Sequence, residues 1–395
     1  MTDDYLPATP ADHLRFPVAP RYRSASLADV MPSIATALGV AGTIDPLGFA
    51  TKHAGLQRAL VLLVDGLGYH QLDAASEASA TIADLISGRF GTVERLTTGF
   101  PSTTPASLVS LGTGALPGAH GILGFTVRVP GEDRVLNHVA WTDDPAPAVW
   151  QPLPTIFELA RAAGVATRVV SKAQFAGGGL TNSAYRGADY IGETGIEPLA
   201  DAMIDALTEP TGPVIVYGYH PDVDHIGHVH GVGSGHWLDQ IRRLERLLAR
   251  LAARLPADAA LFVTADHGQL NVPWDRRFDL DRDPRLRDGV HLIAGEPRVR
   301  YLHVEPGALA DVVKTWEGVL GEAAMVMTRD EAITTGWYGE VTPVHLERIG
   351  DVVVICRDQY AVTESVVDPG AAGLIGYHGS LTAAEMEIPL ITLRW

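Results

Sequence analysis

The chain has 395 residues, 46% hydrophobic and 19% charged, an ordinary globular composition that excludes disorder and allows a large buried core. Its 30 basic and 47 acidic residues leave a formal charge of −17, which argues against nucleic acid or an anionic membrane surface as a partner. The single cysteine, Cys356, excludes an internal disulfide and suits a reducing compartment. The opening segment, MTDDYLPATPADHLRFP, has no basic stretch followed by an apolar run, and the most apolar stretch, Ala59–Val64, is too short to span a bilayer. A cytoplasmic protein is expected.

In chain order, strands are predicted over Ala59–Val64, Thr92–Leu96, Ala166–Val170, Val214–Tyr217, Ala260–Thr264, Asp351–Cys356 and Leu390–Leu393. Helices are predicted over Ala106–Leu111, Thr155–Ala163, Pro198–Leu207, Trp237–Leu255 and Ala308–Leu320. This alternation predicts an α/β fold, a three-layer α/β/α sandwich with a mostly parallel central sheet. In the longest helix, leucines recur at helical spacing opposite arginines, the pattern of a helix lying on the sheet with a solvated basic face. Two stretches break the rhythm: Phe125–Gln151, an irregular excursion rich in Pro, Asp and Val, and Asn271–Glu347, read as a small cap inserted into one domain spanning residues 1–395. The Gly-rich piece Phe175–Gly187 reads as turns, and its Gly177–Arg186 part as a candidate pocket wall.

Three apolar strands end in the same chemistry. Asp65 follows ALVLLV, Asp224 and His228 follow VIVYGYH, and Asp266 and His267 follow ALFVTA. In a parallel α/β sheet, ligands sit outside the carboxyl ends of the strands, so segments distant in sequence would deliver ligand-type side chains to one edge. Asp-Gly after a strand is by itself often only a turn. Jointly, Asp and neutral His are the ligands expected of zinc and similar transition metals. Asp222 is an alternative to Asp224.

A nucleophile is expected at a helix start, and GFPSTTPASLVSLGTG supplies one in Thr104. Threonine is a good N-cap, Pro105 a good first helical residue, and the Ala106 and Ser107 amides would face a phosphate.

These residues resemble the alkaline phosphatase superfamily and, within it, the nucleotide pyrophosphatase/phosphodiesterase-like family. The likeness runs from LLVDG through FPSTTPASLVSLGTG, PGAHGI, DHIGH and ADHG to GYHGSLTAAEMEIPLI. The resemblance implies two divalent metal ions, usually zinc. One would be held by Asp65, Thr104, Asp266 and His267, and the other by Asp224, His228 and His378. Family spacing, with the nucleophile nine residues before the Thr of Thr113-Gly114, selects Thr104 over Thr103. Where the phosphodiesterases have Asn three residues after the nucleophile, this chain has Ser107. His120 matches a family histidine read as structural, and His220, His225 and His230 are left without a role.

The implied activity is that of a phosphodiesterase or nucleotide pyrophosphatase acting on a small phosphate ester or nucleotide through a phosphothreonine-type intermediate. A phosphomonoesterase or phosphonate hydrolase of the same superfamily is the alternative, and a metal-binding protein without turnover is a third reading. Oligomeric state is not legible.

Overall fold

A computed structural model describes residues 9–394; the first eight residues, part of the opening segment read above for a leader, lie outside the described residues. The central sheet contains β1 (Arg58–Val64), β2 (Thr92–Thr97), β3 (Ala166–Lys172), β4 (Asp189–Glu193), β5 (Val214–His220) and β6 (Ala259–Thr264). A second sheet contains β7 (Val290–Glu296), β8 (Val299–Val304), β9 (Ala324–Thr328) and β10 (Val352–Cys356), and the chain returns to the first with β11 (Glu387–Leu393).

The seven central strands run in the order β2-β11-β6-β1-β5-β3-β4. β1 pairs parallel with β5 and β6, β5 with β3, and β3 with β4, whereas β11 runs against both of its neighbours. The expected mostly parallel sheet with helices on both faces is thus what the chain forms. The reason lies in strands such as ALVLLV: every residue from Ala59 to Val64 is buried, because both faces are covered by helices and neither needs polar alternation.

The long helix, Gly235–Ala253, turns Trp237, Ile241, Leu244, Leu247, Leu248 and Leu251 into the core. It is started by Ser234, whose hydroxyl accepts the Trp237 N–H at 3.2 Å. Its arginines face outward, and Arg250 pairs with Asp201 on the adjacent Ile196–Thr208 helix at 2.8 Å. No helix among the described residues is long and apolar enough to cross a membrane.

The strand expected over Asp351–Cys356 forms, as β10, but in the second sheet rather than the central one. That sheet is antiparallel, in the order β7-β8-β10-β9. Val352, Val354 and Cys356 pack with Trp316 of helix Leu309–Leu320, while Val353 and Ile355 belong to the main core. Burial on both faces produces the same continuous apolar run as a central parallel strand, so periodicity does not separate the two. β4, not predicted, is a half-exposed edge strand of sequence DYIGE, whose charges and glycine are typical of sheet edges.

The β7–β8 turn carries Arg298, whose side chain is 0% exposed and forms a bidentate pair with the equally buried Glu385 at 3.0 and 2.8 Å. Glu385 also accepts from the Ser380 amide at 3.0 Å and the Thr382 hydroxyl at 2.5 Å. The second sheet is thereby stapled to the segment that leads into β11. Removing one partner leaves the other charge buried and uncompensated, so Arg298→Ala should destabilise the protein by about 3–5 kcal/mol. Chemical denaturation checks this, and a loss within the ~0.5 kcal/mol typical of an ordinary surface substitution would contradict it.

Candidate active site

β1 and β5 are in register from Arg58–Val214 to Val64–His220, so their carboxyl ends coincide. The ladder continues one step further, with the Asp65 N–H donating to the His220 carbonyl at 3.0 Å. Beside them, β6 ends at Thr264 and delivers Asp266 and His267. Asp65 is 3% exposed, and Asp266 and His267 are 0% exposed. One Asp266 oxygen accepts the Gly66 and His267 amides at 3.2 and 3.1 Å. Its other oxygen, Oδ2, and Asp65 Oδ1 are buried without a hydrogen-bond partner. Both orphaned oxygens lie close to His267 Nε2, at 3.3 and 3.5 Å respectively, and Thr104 Oγ1 lies 3.1 Å from the same nitrogen. The expected set Asp65, Thr104, Asp266 and His267 therefore converges on one point.

Asp224 and His228 lie on helix Asp222–His230, four residues apart and so on one face. Asp224 Oδ2 is 3.2 Å from His228 Nε2, and His378 Nε2 is 3.2 Å from His228 Nε2 and 3.8 Å from Asp224 Oδ1. The Nδ1 atoms of both histidines face backbone carbonyls, His228 that of Gly376 at 2.7 Å and His378 that of Ser102 at 2.9 Å. A proton held on Nδ1 by a carbonyl leaves the Nε2 lone pair free to bind a cation. The His267 and His378 rings stack with centroids 3.5 Å apart, joining the two sets. Ligand atoms of Asp224, His228 and His378 lie within 4.8 Å of one another, as do those of Asp65, Asp224 and His267. Asp224 thus sits between the two groups. Asp222 points elsewhere and pairs with Lys172 at 2.5 Å.

Electrostatics mark this edge as short of positive charge. Burial, then repulsion by Asp266 and Asp224, pushes the Asp65 carboxyl well above the usual range. Burial likewise raises Asp266. Burial opposes ionisation of Asp224 too, but the charge and hydrogen bond of His228 more than offset it and hold its carboxyl low. Burial, reinforced by His267, holds His378 neutral far below the ordinary histidine range. Orphaned carboxylate oxygens beside imidazole nitrogens are the donor set that a divalent cation with O and N ligands requires.

Thr104 is the first residue of helix Thr104–Thr113, and Thr103, with extended backbone, is the N-cap. This corrects the expected cap by one residue, because Pro105 is tolerated at the second helical position as well as the first. Of the two amides expected to face a phosphate, that of Ser107 is committed to the Thr103 carbonyl at 3.0 Å, which leaves Ala106. Ser107 is fully buried and its hydroxyl meets that of Thr98 at 2.9 Å. It faces the core. His120 is also a core residue, with Ser110 Oγ at 2.9 Å from its Nε2 and the Ile122 N–H donating to its Nδ1 at 3.1 Å. Burial pushes His220 down to about 4.

Thr104 opens into a cavity of about 360 Å³ walled by Trp141, Phe175, Leu180, Tyr185, Tyr190 and Tyr219, with no lysine or arginine in its lining. The Gly-rich piece supplies one wall and the excursion at residues 139–142 another, while the stretch 271–347 contributes nothing to it. Three supporting residues were not foreseen. The Tyr219 hydroxyl donates to Asp65 Oδ2, and Gln269 Nε2 donates to Asp224 Oδ1 at 2.9 Å. Gly66 has φ +72°, and a Cβ there would lie 2.8 Å from the Cβ of Asp224. The only signal for Gly66 in the sequence was its place after the first strand's aspartate.

The model of the type I phosphodiesterase / nucleotide pyrophosphatase family matches residues 59–381. Among solved structures, murine ectonucleotide pyrophosphatase / phosphodiesterase 5 aligns at 19% identity over 85% of this chain and 88% of that one, with a TM-score of 0.68. An inactive variant of the murine protein has been solved in complex with AMP. Phosphonoacetate hydrolase from Sinorhizobium meliloti 1021, in complex with phosphonoformate, aligns at 20% identity over 86% and 90% of the two chains, with a TM-score of 0.65. At these identities the likeness shows the fold. A search of curated proteins found no significant match.

The close approach at Gly66 gives a direct test of the geometry. Gly66→Ala should push the Asp224 helix outward and weaken divalent-metal binding by about 10–100-fold, the range of supporting-residue mutations at metal sites. Metal content after dialysis at limiting free metal measures this, and an unchanged content would show that the crowding does not matter.

Proposed function

The chain belongs to the type I phosphodiesterase / nucleotide pyrophosphatase family and is a phosphoric ester hydrolase, and we propose that it cleaves phosphodiester or nucleotide pyrophosphate bonds with Thr104 as nucleophile. In this reading one divalent ion is held by Asp65, Thr104, Asp266 and His267, and a second by Asp224, His228 and His378. The observation that carries it is the meeting of Thr104 Oγ1 with His267 Nε2 at 3.1 Å, beside carboxylate oxygens that have no other partner. Zinc is the ion that this mixture of carboxylate and imidazole donors suits. Bound there, such ions favour the alkoxide form of the threonine and neutralise charge on the phosphoryl oxygens.

The protein's own residues then account for the remaining steps. Thr104 Oγ attacks phosphorus, the Oγ–P bond forms as the bond to the leaving oxygen breaks, and a phosphothreonine-type ester results. Thr104 begins a helix, so the positive end of the helix dipole and the Ala106 amide face the phosphoryl group. Water then attacks the ester from the side the leaving group vacated and restores the threonine hydroxyl. Aromatic rings around the cavity offer stacking surface to an organic substituent of the phosphate.

The absence of lysine and arginine from the cavity lining favours a diester over a monoester or phosphonate, whose additional negative charge would meet no cationic side chain there. The lone, buried Cys356 supports a reducing, cytoplasmic setting.

Purified protein should hydrolyse bis-p-nitrophenyl phosphate faster than the mono-ester, and chelation should abolish both activities. Thr104→Ala should lower kcat on the order of 10³-fold or more when it is compared with wild type at matched metal content. A metal-loaded protein that turns over no diester, nucleotide or phosphonate would sink the reading. A Thr104→Ala protein with full activity would assign the nucleophile elsewhere.

A further inference from the structure

Outside the candidate active site, the described residues bring together a second set of metal-ligand side chains. The short helical turn Ala11–Leu14 carries Asp12 and His13, and His70 immediately precedes helix Gln71–Ser76. One ligand atom from each of Asp12, His13 and His70 lies within 4.8 Å of the others. The two imidazole rings have centroids 4.4 Å apart, although nearly 60 residues separate them in sequence. None of these residues belongs to the sets around Asp224 and His267.

Two further observations point to a cation. The first lies behind His70. Its Nε2 is 2.7 Å from Oε2 of Glu387, a buried carboxylate oriented by Arg15 at 2.5 Å and Arg95 at 3.2 Å. A carboxylate fixed behind one ring nitrogen sets the tautomer and raises the basicity of the other, the arrangement that accompanies ligating histidines. The second is the cleft, about 250 Å³, that His13 and His70 line. Asp73 and Glu77 are part of its lining, and among the described residues neither lysine nor arginine is.

We propose that Asp12, His13 and His70 form a separate binding site for a divalent transition ion of the zinc class, with Asp73 or Glu77 within the same cleft to complete it. Two imidazoles and a carboxylate suit such an ion and leave room for a further ligand. The site would clamp the chain's early segment onto the carboxyl edge of the sheet. That segment already crosses the stretch after His378: the Val18 amide donates to the Leu381 carbonyl at 2.8 Å, and the Ala383 amide to the Arg15 carbonyl at 3.0 Å. The ion would be structural, holding this strap in place.

The test is a comparison of zinc stoichiometry in the full-length protein, stripped with chelator and titrated with zinc alone in a calorimeter. Wild type should bind one equivalent more than His13→Ala and one more than Asp12→Asn. Both variants should keep the wild-type rate on bis-p-nitrophenyl phosphate. Asp12 is exposed, so its replacement does not disturb the core even if that of His13 does. With cobalt in place of zinc, the visible spectrum of wild type minus variant should show a band from the additional site. Equal stoichiometry in wild type and both folded variants would overturn the proposal, as would an extra equivalent bound only at large excess of zinc. Because the result is a difference between proteins, it holds whatever number of ions the active site takes.

Discussion

Three carboxylates, Asp65, Asp224 and Asp266, are crowded onto one largely buried edge of the sheet, and among the described residues no lysine or arginine pairs with any of them. Burial limits their solvation, and only Asp224 is offset by a neighbouring imidazole, that of His228. A folded chain with this edge bears an electrostatic cost that mounts as the carboxylates ionise, seen in the raised Asp65 and Asp266 carboxyls. Divalent cations remove that cost by binding. On the proposed reading, this shortage of positive charge is what would draw metal to the edge, and metal is what would make a threonine hydroxyl a competent nucleophile.

Much of the surrounding architecture serves to hold those charges in place. β1, β5 and β6 bring three aspartates together because their carboxyl ends are aligned by parallel pairing. Gly66 lets the Asp224 helix come within reach of Asp65, and Gln269 fixes one oxygen of Asp224 from the side. His378 arrives from the far end of the chain, held by a carbonyl of the residue two before Thr104, so that Thr104 and the late histidine are tied to one loop. The segment after it is locked by Glu385 and Arg298. Each of these devices is a close contact or buried polar bond that would be pointless in a plain core.

The ligand-bearing strand ends were legible because they combine two strong signals: a continuous apolar run and a carboxylate or histidine immediately after it. Five of the seven expected site residues could be found that way, and they meet in space. His378 could not; it follows a two-residue strand, Gly376–Tyr377, and only the family resemblance pointed to it. Pattern reading also failed where two environments give one pattern. VVVIC is buried on both faces in the second sheet just as ALVLLV is in the first, and the side of the molecule on which it lies depends on pairing partners far away in sequence. The helix start was displaced by one residue because proline fits either of the first two helical positions. Tyr219 illustrates a third limit: an aromatic next to a strand end reads as core, and its hydroxyl's bond to Asp65 depends on β1 and β5 lying side by side.

The cavity beside Thr104 carries the argument from chemistry to substrate. With cations bound as proposed, the ligand edge would attract any phosphoryl group, since its attraction is for negative charge. Selection therefore falls to the walls, and these are aromatic rings and small polar groups drawn from residues 139–142, the Gly-rich piece and the end of β5. Gly179 lets that wall pack against Trp141, whose ring a Cβ there would meet at 2.3 Å. A substrate gains from such a pocket only by burying a flat or apolar substituent, and it loses if it must also bury a second ionised oxygen unpaired. Ser107, turned into the core toward Thr98, adds no side-chain donor at the phosphorus. On the proposed reading, phosphoryl recognition would rest on the ligand edge and the helix start, and discrimination on the organic group, a division that favours a diester.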